Sequence, residues 1–247
     1  EMLTSTSSAS AMTLAMWGVS SNDDQVFGGF GDRIAVVEVA GQISSSRSVV
    51  AQLRRWAEAD NVPIILLRVD SPGGGVAASQ EIHEEILRVR KGGKKVVASM
   101  GTVAASGGLY IAVACDTIVA NPGTLTGSIG VIFQYPTFER LLDKVGVRYE
   151  TVKSGPYKDV GNLSRDMNAL DSVHLQSIID DTYDQFIEAV AEGRGMTKDE
   201  VRVFADGRIF TGRQAKELHI IDELGDYHDA LDIAAGMAGI PTPPKTV

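Results

Sequence analysis

From residue 33 onward, short apolar runs alternate with longer stretches of helical periodicity, and that alternation leaves few architectures open. The runs are 34–39 (IAVVEV), 64–69 (IILLRV), 95–99 (KVVAS) and 117–120 (TIVA). None keeps a strict in-and-out alternation, so each reads as a strand covered on both faces. Between the first two runs, residues 46–59 place Val49, Val50, Leu53 and Trp56 at helical spacing, and 76–90 form a second helical stretch after a glycine turn. Strand, helix, strand in this order implies βαβ units in a mostly parallel sheet. The second half reads as helices over 137–145, 171–193, 197–205, 212–218 and 227–238, which gives an α/β fold with a helical C-terminal third. At 247 residues and 44% hydrophobic content the chain can bury a full core as one domain, expected over 32–240. Residues 1–31, rich in Ser, Thr, Met and Gly, are expected to be a flexible lead-in, and 241–247 a Pro-rich tail.

Charge and cysteine content narrow the partners. With 23 basic against 32 acidic residues the net charge is −9, so there is no basic footprint for nucleic acid or anionic lipid. The single Cys115 allows neither an intrachain disulfide nor a Cys-rich metal site. No stretch approaches the roughly 20 apolar residues of a membrane-spanning helix. The chain opens on Glu1 instead of Met, so an N-terminal part is expected to be missing, and a signal or anchor segment with it.

Three segments carry possible chemistry. The first, 70–75 (DSPGGG), follows an apolar strand and precedes a helix, a place where free backbone N–H groups bind an anion or a developing oxyanion. It has neither the Gly-Lys-Ser/Thr of a Walker loop nor the G-x-G-x-x-G spacing, and alone it is an ordinary glycine-rich turn as readily as a site. The second, 100–108 (MGTVAASGG), puts Ser106 near a helix start with the Gly107 N–H beside its hydroxyl. Small residues there also serve simply to pack a helix close to a sheet. A serine nucleophile needs a base. His83, His174, His219 and His228 all sit amid charged neighbours, where surface positions are expected, although triad partners are often distant in sequence. The third segment, 152–159 (VKSGPYKD), offers Lys153 and Lys158, either of which acts as a base only if its surroundings favour the neutral amine.

Taken in order, DSPGGG, GTVAASGGLYIA, GTLTGSIGVI, VKSGPYKD and GRIFTGRQAKELHIIDELG resemble the signal peptide peptidase A family of Ser-Lys proteases over roughly residues 33–238. The resemblance implies Ser106 as nucleophile and Lys158 as general base, Lys153 being the solvated lysine of that loop. It also implies Ser128 as the residue orienting the lysine amine, and the N–H groups of Gly73 and Gly107 as the oxyanion hole. The implied fold is a crotonase-like βα superhelix shared with the Clp proteolytic subunit. No metal or cofactor is implied. Expected partners are peptide substrates, above all signal peptide remnants, and further copies of the chain in a ring, often an octamer, with active sites formed between neighbours. Membrane attachment through the missing N-terminal anchor would place the catalytic domain outside the cytoplasmic membrane. The competing enzyme class on such a fold is a hydratase or isomerase of acyl thioesters, which needs carboxylates where this sequence has serine and small residues. A catalytically dead scaffold is disfavoured by the presence of Ser106, Lys158 and both implied oxyanion glycines.

Overall fold

In the computed structural model, which describes residues 32–247, the apolar runs pair side by side. The expected lead-in, 1–31, lies outside the described residues. The strands are β1 (Ile34–Ala40), β2 (Ile64–Ser71), β3 (Lys95–Ala105), β4 (Thr117–Ala120), β5 (Leu125–Gly127), β6 (Ile209–Thr211) and β7 (Glu223–Leu224). The main path runs β1-β2-β3-β4-β7, parallel throughout, while β5 pairs with β3 and is joined antiparallel by β6. Because side chains alternate across a strand, the sheet feeds two cores. Ala35, Val37, Ile65, Leu67, Val96 and Ala98 face α1 (Arg47–Glu58) and α2 (Val76–Lys91). Ile34, Ile64, Leu66 and Val97 face Ala230, Leu231 and Ala234 of the last helix, Tyr227–Ala238. Each such aliphatic side chain contributes about 1.5–3 kcal/mol on burial, which explains why the strands lack polar alternation.

Two differences from expectation bear on the site. The third strand continues to Ala105, where the sequence reads as a strand ending at residue 99 and a small-residue segment that opens a helix. A register shift between Val69 and Ser71 sets Ser71 of β2 opposite Ala104, while on the other edge of β3 the pairing with β4 ends at Met100 and Val103, Ala104 and Ala105 pair with Leu125, Thr126 and Gly127. The hydroxyls of Thr124 and Thr126 donate to the carbonyls of Gly101 and Ala104, both at 2.7 Å, and the Asp70 carboxylate accepts the Val103 N–H at 3.0 Å. The C-terminal residues are also not a separate tail. The N–H groups of Ile34 and Val36 donate to the carbonyls of Lys245 and Val247, at 2.9 and 2.8 Å, so the tail extends the sheet beyond β1.

Helix starts in the C-terminal third are set by capping boxes. Asn168, Thr197, Thr211 and Asp226 cap α5 (Ala169–Arg194), α6 (Lys198–Arg202), α7 (Gly212–Glu217) and α8 (Tyr227–Ala238). Two short helices precede them: α3 (Gly107–Ala112), deep in the core, and α4 (Glu139–Val145), which buries no residue.

Contrary to its expected surface position, His83 of α2 is buried, its ring 5.0 Å from that of Tyr110. Burial lowers its pKa below the usual value, Arg90 adds to the effect and Glu84 partly opposes it. The unfolded chain therefore takes up this proton near pH 6.5 while the folded one resists it, so the contribution is present above about 6.5 and is lost in acid. The melting temperature should fall between pH 7 and 5, and less steeply in His83→Leu. Equal slopes in the two proteins would contradict the assignment.

Candidate active site

Ser106 is the single residue between the end of β3 and the start of α3, and it carries φ 52° and ψ −120°. A non-glycine residue in such a conformation costs about 1–3 kcal/mol and persists only where its surroundings hold it. Here its N–H donates to the Gly127 carbonyl at 2.9 Å, and its own carbonyl accepts the Tyr110 N–H at 2.9 Å. The half-buried side chain opens both into a cleft of about 780 Å³ and into a smaller pocket of about 120 Å³.

The glycine turn lies directly on this serine. A Cβ on Gly73, whose φ is +102°, would stand 2.6 Å from the Gly107 nitrogen and 2.8 Å from the Ser106 Cβ. A Cβ on Gly107 would stand 2.5 Å from Ser79 Oγ and 3.2 Å from the Gly74 nitrogen. Only glycines permit this approach. The structure brings Gly73 to the serine as expected, but its N–H is already used, donating to Ser71 Oγ at 3.1 Å. Gly74 differs. Its neighbours bridge to Ile43, the Ile43 N–H donating to the Gly73 carbonyl at 2.9 Å and the Gly75 N–H to the Ile43 carbonyl at 2.7 Å. Along an extended segment alternate N–H groups point to opposite sides, so the Gly74 N–H faces away from Ile43, and it has no acceptor among the described residues. The geometry thus moves the second free donor from Gly73 to Gly74, beside Gly107 at the first turn of α3, where N–H groups lack intrahelical acceptors.

Ser128 joins the same cleft, also at positive φ (53°), with its N–H donating to the Arg208 carbonyl at 2.7 Å. The pairing of Ala105 with Gly127 is what sets Ser128 near Ser106. The pocket is walled by Val76, Gln80, Tyr110, Thr182 and Phe186. Thr182 and Phe186 come from α5, some 80 residues downstream; periodicity marks that helix but not where it docks. Asp180 and Asp206 edge the cleft, the first accepting the Gln176 side-chain amide at 2.7 Å, the second ion-paired to Arg208.

Lys158 is not brought to Ser106 within the chain. It is exposed on the 153–160 loop and lines neither cleft nor pocket. Lys153, expected to be the solvated lysine, is exposed and ion-pairs with Asp159 at 2.6 Å. Arg165 and then Lys153 hold the Asp159 carboxyl well below the usual carboxylate range. His174, His219 and His228 are exposed, and no histidine lines the cleft or pocket.

Comparison with known proteins identifies the family. The model of peptidase family S49 matches residues 88–240, and that of Clp protease matches 28–122. The chain belongs to peptidase family S49. A candidate protease of Synechocystis sp. is 48% identical over 209 residues, covering 84% of this chain and 75% of that protein. Protease 4 of Haemophilus influenzae is 36% identical over 82% of this chain, and a candidate signal peptide peptidase, SppA, of Enterococcus faecium is 38% identical over 75% of it. The chain spans 34% and 54% of the length of those two relatives. This S49 chain is therefore a serine peptidase with a Clp-protease-like α/β fold. No described helix is long and apolar enough to cross a membrane.

The packing around Gly107 can be tested by substitution. Alanine keeps the N–H, but its methyl would push the chain away from Ser79 and the Gly74 amide, so Gly107→Ala should lower peptidase turnover about 100-fold, the scale expected when one of two paired donors is displaced. Ser79→Ala removes the hydroxyl 2.5 Å from the new methyl but not the Gly74 amide at 3.2 Å, so the double variant should stay inactive. Recovery of activity in the double variant would show that the clash with Ser79, not the donor pair, matters.

Proposed function

We propose that this S49 peptidase is an endopeptidase in which Ser106 is the nucleophile and Lys158 the general base, acting on signal peptide remnants and other membrane-derived peptides. The observation that carries the reading is the strained serine set between two unengaged N–H donors in a cleft that also holds Ser128. Ser106 Oγ adds to the scissile carbonyl carbon while Lys158 takes the hydroxyl proton. The N–H groups of Gly107 and Gly74 receive the oxyanion. When the C–N bond breaks, the lysine returns its proton to the departing amine. Water then attacks the acyl ester, giving its proton to the lysine, and Ser106 is regenerated as the lysine protonates its oxygen. Ser128, at the cleft edge, orients the lysine amine. No step requires a metal or cofactor. The peptide substrate of the E. faecium relative is suggested by its name alone, and the small pocket, with Val76, Ile132 and Phe186 in its wall, suits a short aliphatic side chain beside the cut.

Lys158 reaches the serine of a neighbouring copy. Three features support this. The loop is exposed and away from its own cleft. Ile132, Phe133, Leu141, Val145, Tyr149 and Val152, between Ser128 and Lys158, are all exposed, more apolar surface in one stretch than a monomer usually leaves open. A lysine acts as base only as the free amine, and an interface that excludes water favours that form. A closed ring, such as an octamer, would complete every site in turn.

Mixing inactive variants tests both parts. Ser106→Ala and Lys158→Ala should each lose several orders of magnitude in turnover, whereas Lys153→Ala should have a milder effect. Subunits of the two inactive variants, dissociated and reassembled together, should recover part of the activity, because some junctions pair an intact Ser106 with an intact Lys158. Full inactivity of the mixed assembly would mean that serine and lysine act within one chain. Activity in Lys158→Ala alone would remove the lysine from the mechanism.

A further inference from the structure

The stretch carrying Lys158 owes little to the core, yet both residues flanking the lysine are held. On one side the Tyr157 ring packs on His174 of α5, with centroids 5.0 Å apart and planes at 43°. On the other side Arg165 grips Asp159 with two nitrogens, Nε to Oδ2 at 2.9 Å and a terminal nitrogen to Oδ1 at 3.1 Å. The other terminal nitrogen of Arg165 reaches Asp171, in the first turn of α5. Asp171 is fully buried, and its carboxylate also accepts the Asn168 N–H at 3.2 Å as part of the capping box. Lys153 meets Asp159 from within the loop. Two cations and two carboxylates balance, so the arrangement fixes geometry more than it sets local charge. A planar guanidinium spanning two carboxylates does this where a lysine cannot. The far half of α5 is anchored in the core through Phe186, Ile187 and Val190, which makes its first turn a fixed reference point.

We propose that Arg165 is a positioning residue for the reaction, placing Lys158 by clamping Asp159 to the buried Asp171 at the start of α5. The proposal rests on the reading of Lys158 as the base. Among the described residues, no other ion pair ties that side of the loop to α5. Without the clamp the amine shifts relative to the serine it serves, and a displacement of about 1 Å costs turnover on the order of 100-fold while leaving peptide contacts in the cleft unchanged.

The test is a comparison of kcat and KM in the assembled enzyme. Arg165→Met alone leaves the buried Asp171 without its cation, so the charge-balanced Arg165→Met/Asp171→Asn is made as well. Size exclusion and thermal unfolding report whether each variant assembles and folds. In the charge-balanced variant kcat should fall about 100-fold, with KM within about twofold of wild type. Arg165→Lys should recover roughly a tenth of wild-type turnover, since an ammonium reaches one carboxylate but not both. An assembled charge-balanced variant with wild-type kcat, beside an inactive Lys158→Ala, would overturn the positioning role. A rise in KM with kcat unchanged would do the same, because it would place Arg165 in substrate binding. An active Lys158→Ala is a separate result, which would remove the base and the role of Arg165 with it.

Discussion

The contact between the glycine turn and the serine is the constraint on which the rest of the structure depends. Gly73 lies so close to Ser106 and Gly107 that neither glycine could carry a side chain, and Gly74 is pressed equally close against Ile43. That approach requires β2 and β3 to end side by side, and the register shift between Val69 and Ser71 allows it. It requires β3 to run on to Ala105, which its pairing with β5 provides. The same pairing delivers Ser128. The large parallel sheet and its two cores can be understood as the rigid frame that holds two chain reversals against each other, with strain concentrated in Ser106 and absorbed by hydrogen bonds on both sides.

The protein divides into a core that holds Ser106 and an exposed stretch that carries Lys158. Residues up to about 132, with the middle of α5 and residues 205–207, form the cleft and its pocket. The stretch from there to α5 has a helix with no buried residue, many exposed apolar side chains, and one well-made ion-pair network. Such a stretch is poorly explained by the needs of a single subunit. It is well explained if it covers and completes the site of another, with the ion pairs supplying locally the order that core packing does not.

Much of this was legible in the sequence, for reasons that differ by element. The four apolar runs and the helix over 227–238 follow directly from periodicity, and the strand at 117–120 and that helix have the expected bounds. The short strands β5, β6 and β7 were not legible, because two or three residues carry no period. The extent of β3 was missed because Gly101, Ala104 and Ala105 read as a small-residue segment leading into a helix, while in the fold threonine hydroxyls from 124 and 126 bond its carbonyls. Ser106, Ser128 and the glycine pair stood out by their motifs, but choosing Gly74 over Gly73 needed the hydrogen bond to Ser71. The burial of His83, the pocket wall from α5 and the Arg165 clamp arise from contacts between distant segments, which spacing along the chain does not reveal.

The central claim is that Ser106 is a nucleophile activated by a lysine from outside its own cleft. Its most direct test is to treat the assembled enzyme with a fluorophosphonate probe and locate the modified residue by peptide mass spectrometry. The account predicts a single adduct on Ser106 in the wild-type protein and labelling slowed by at least about 100-fold in Lys158→Ala, the lower end of the range for loss of a general base. An adduct on Ser128 or another serine, or equally fast labelling of Ser106 without Lys158, would contradict it.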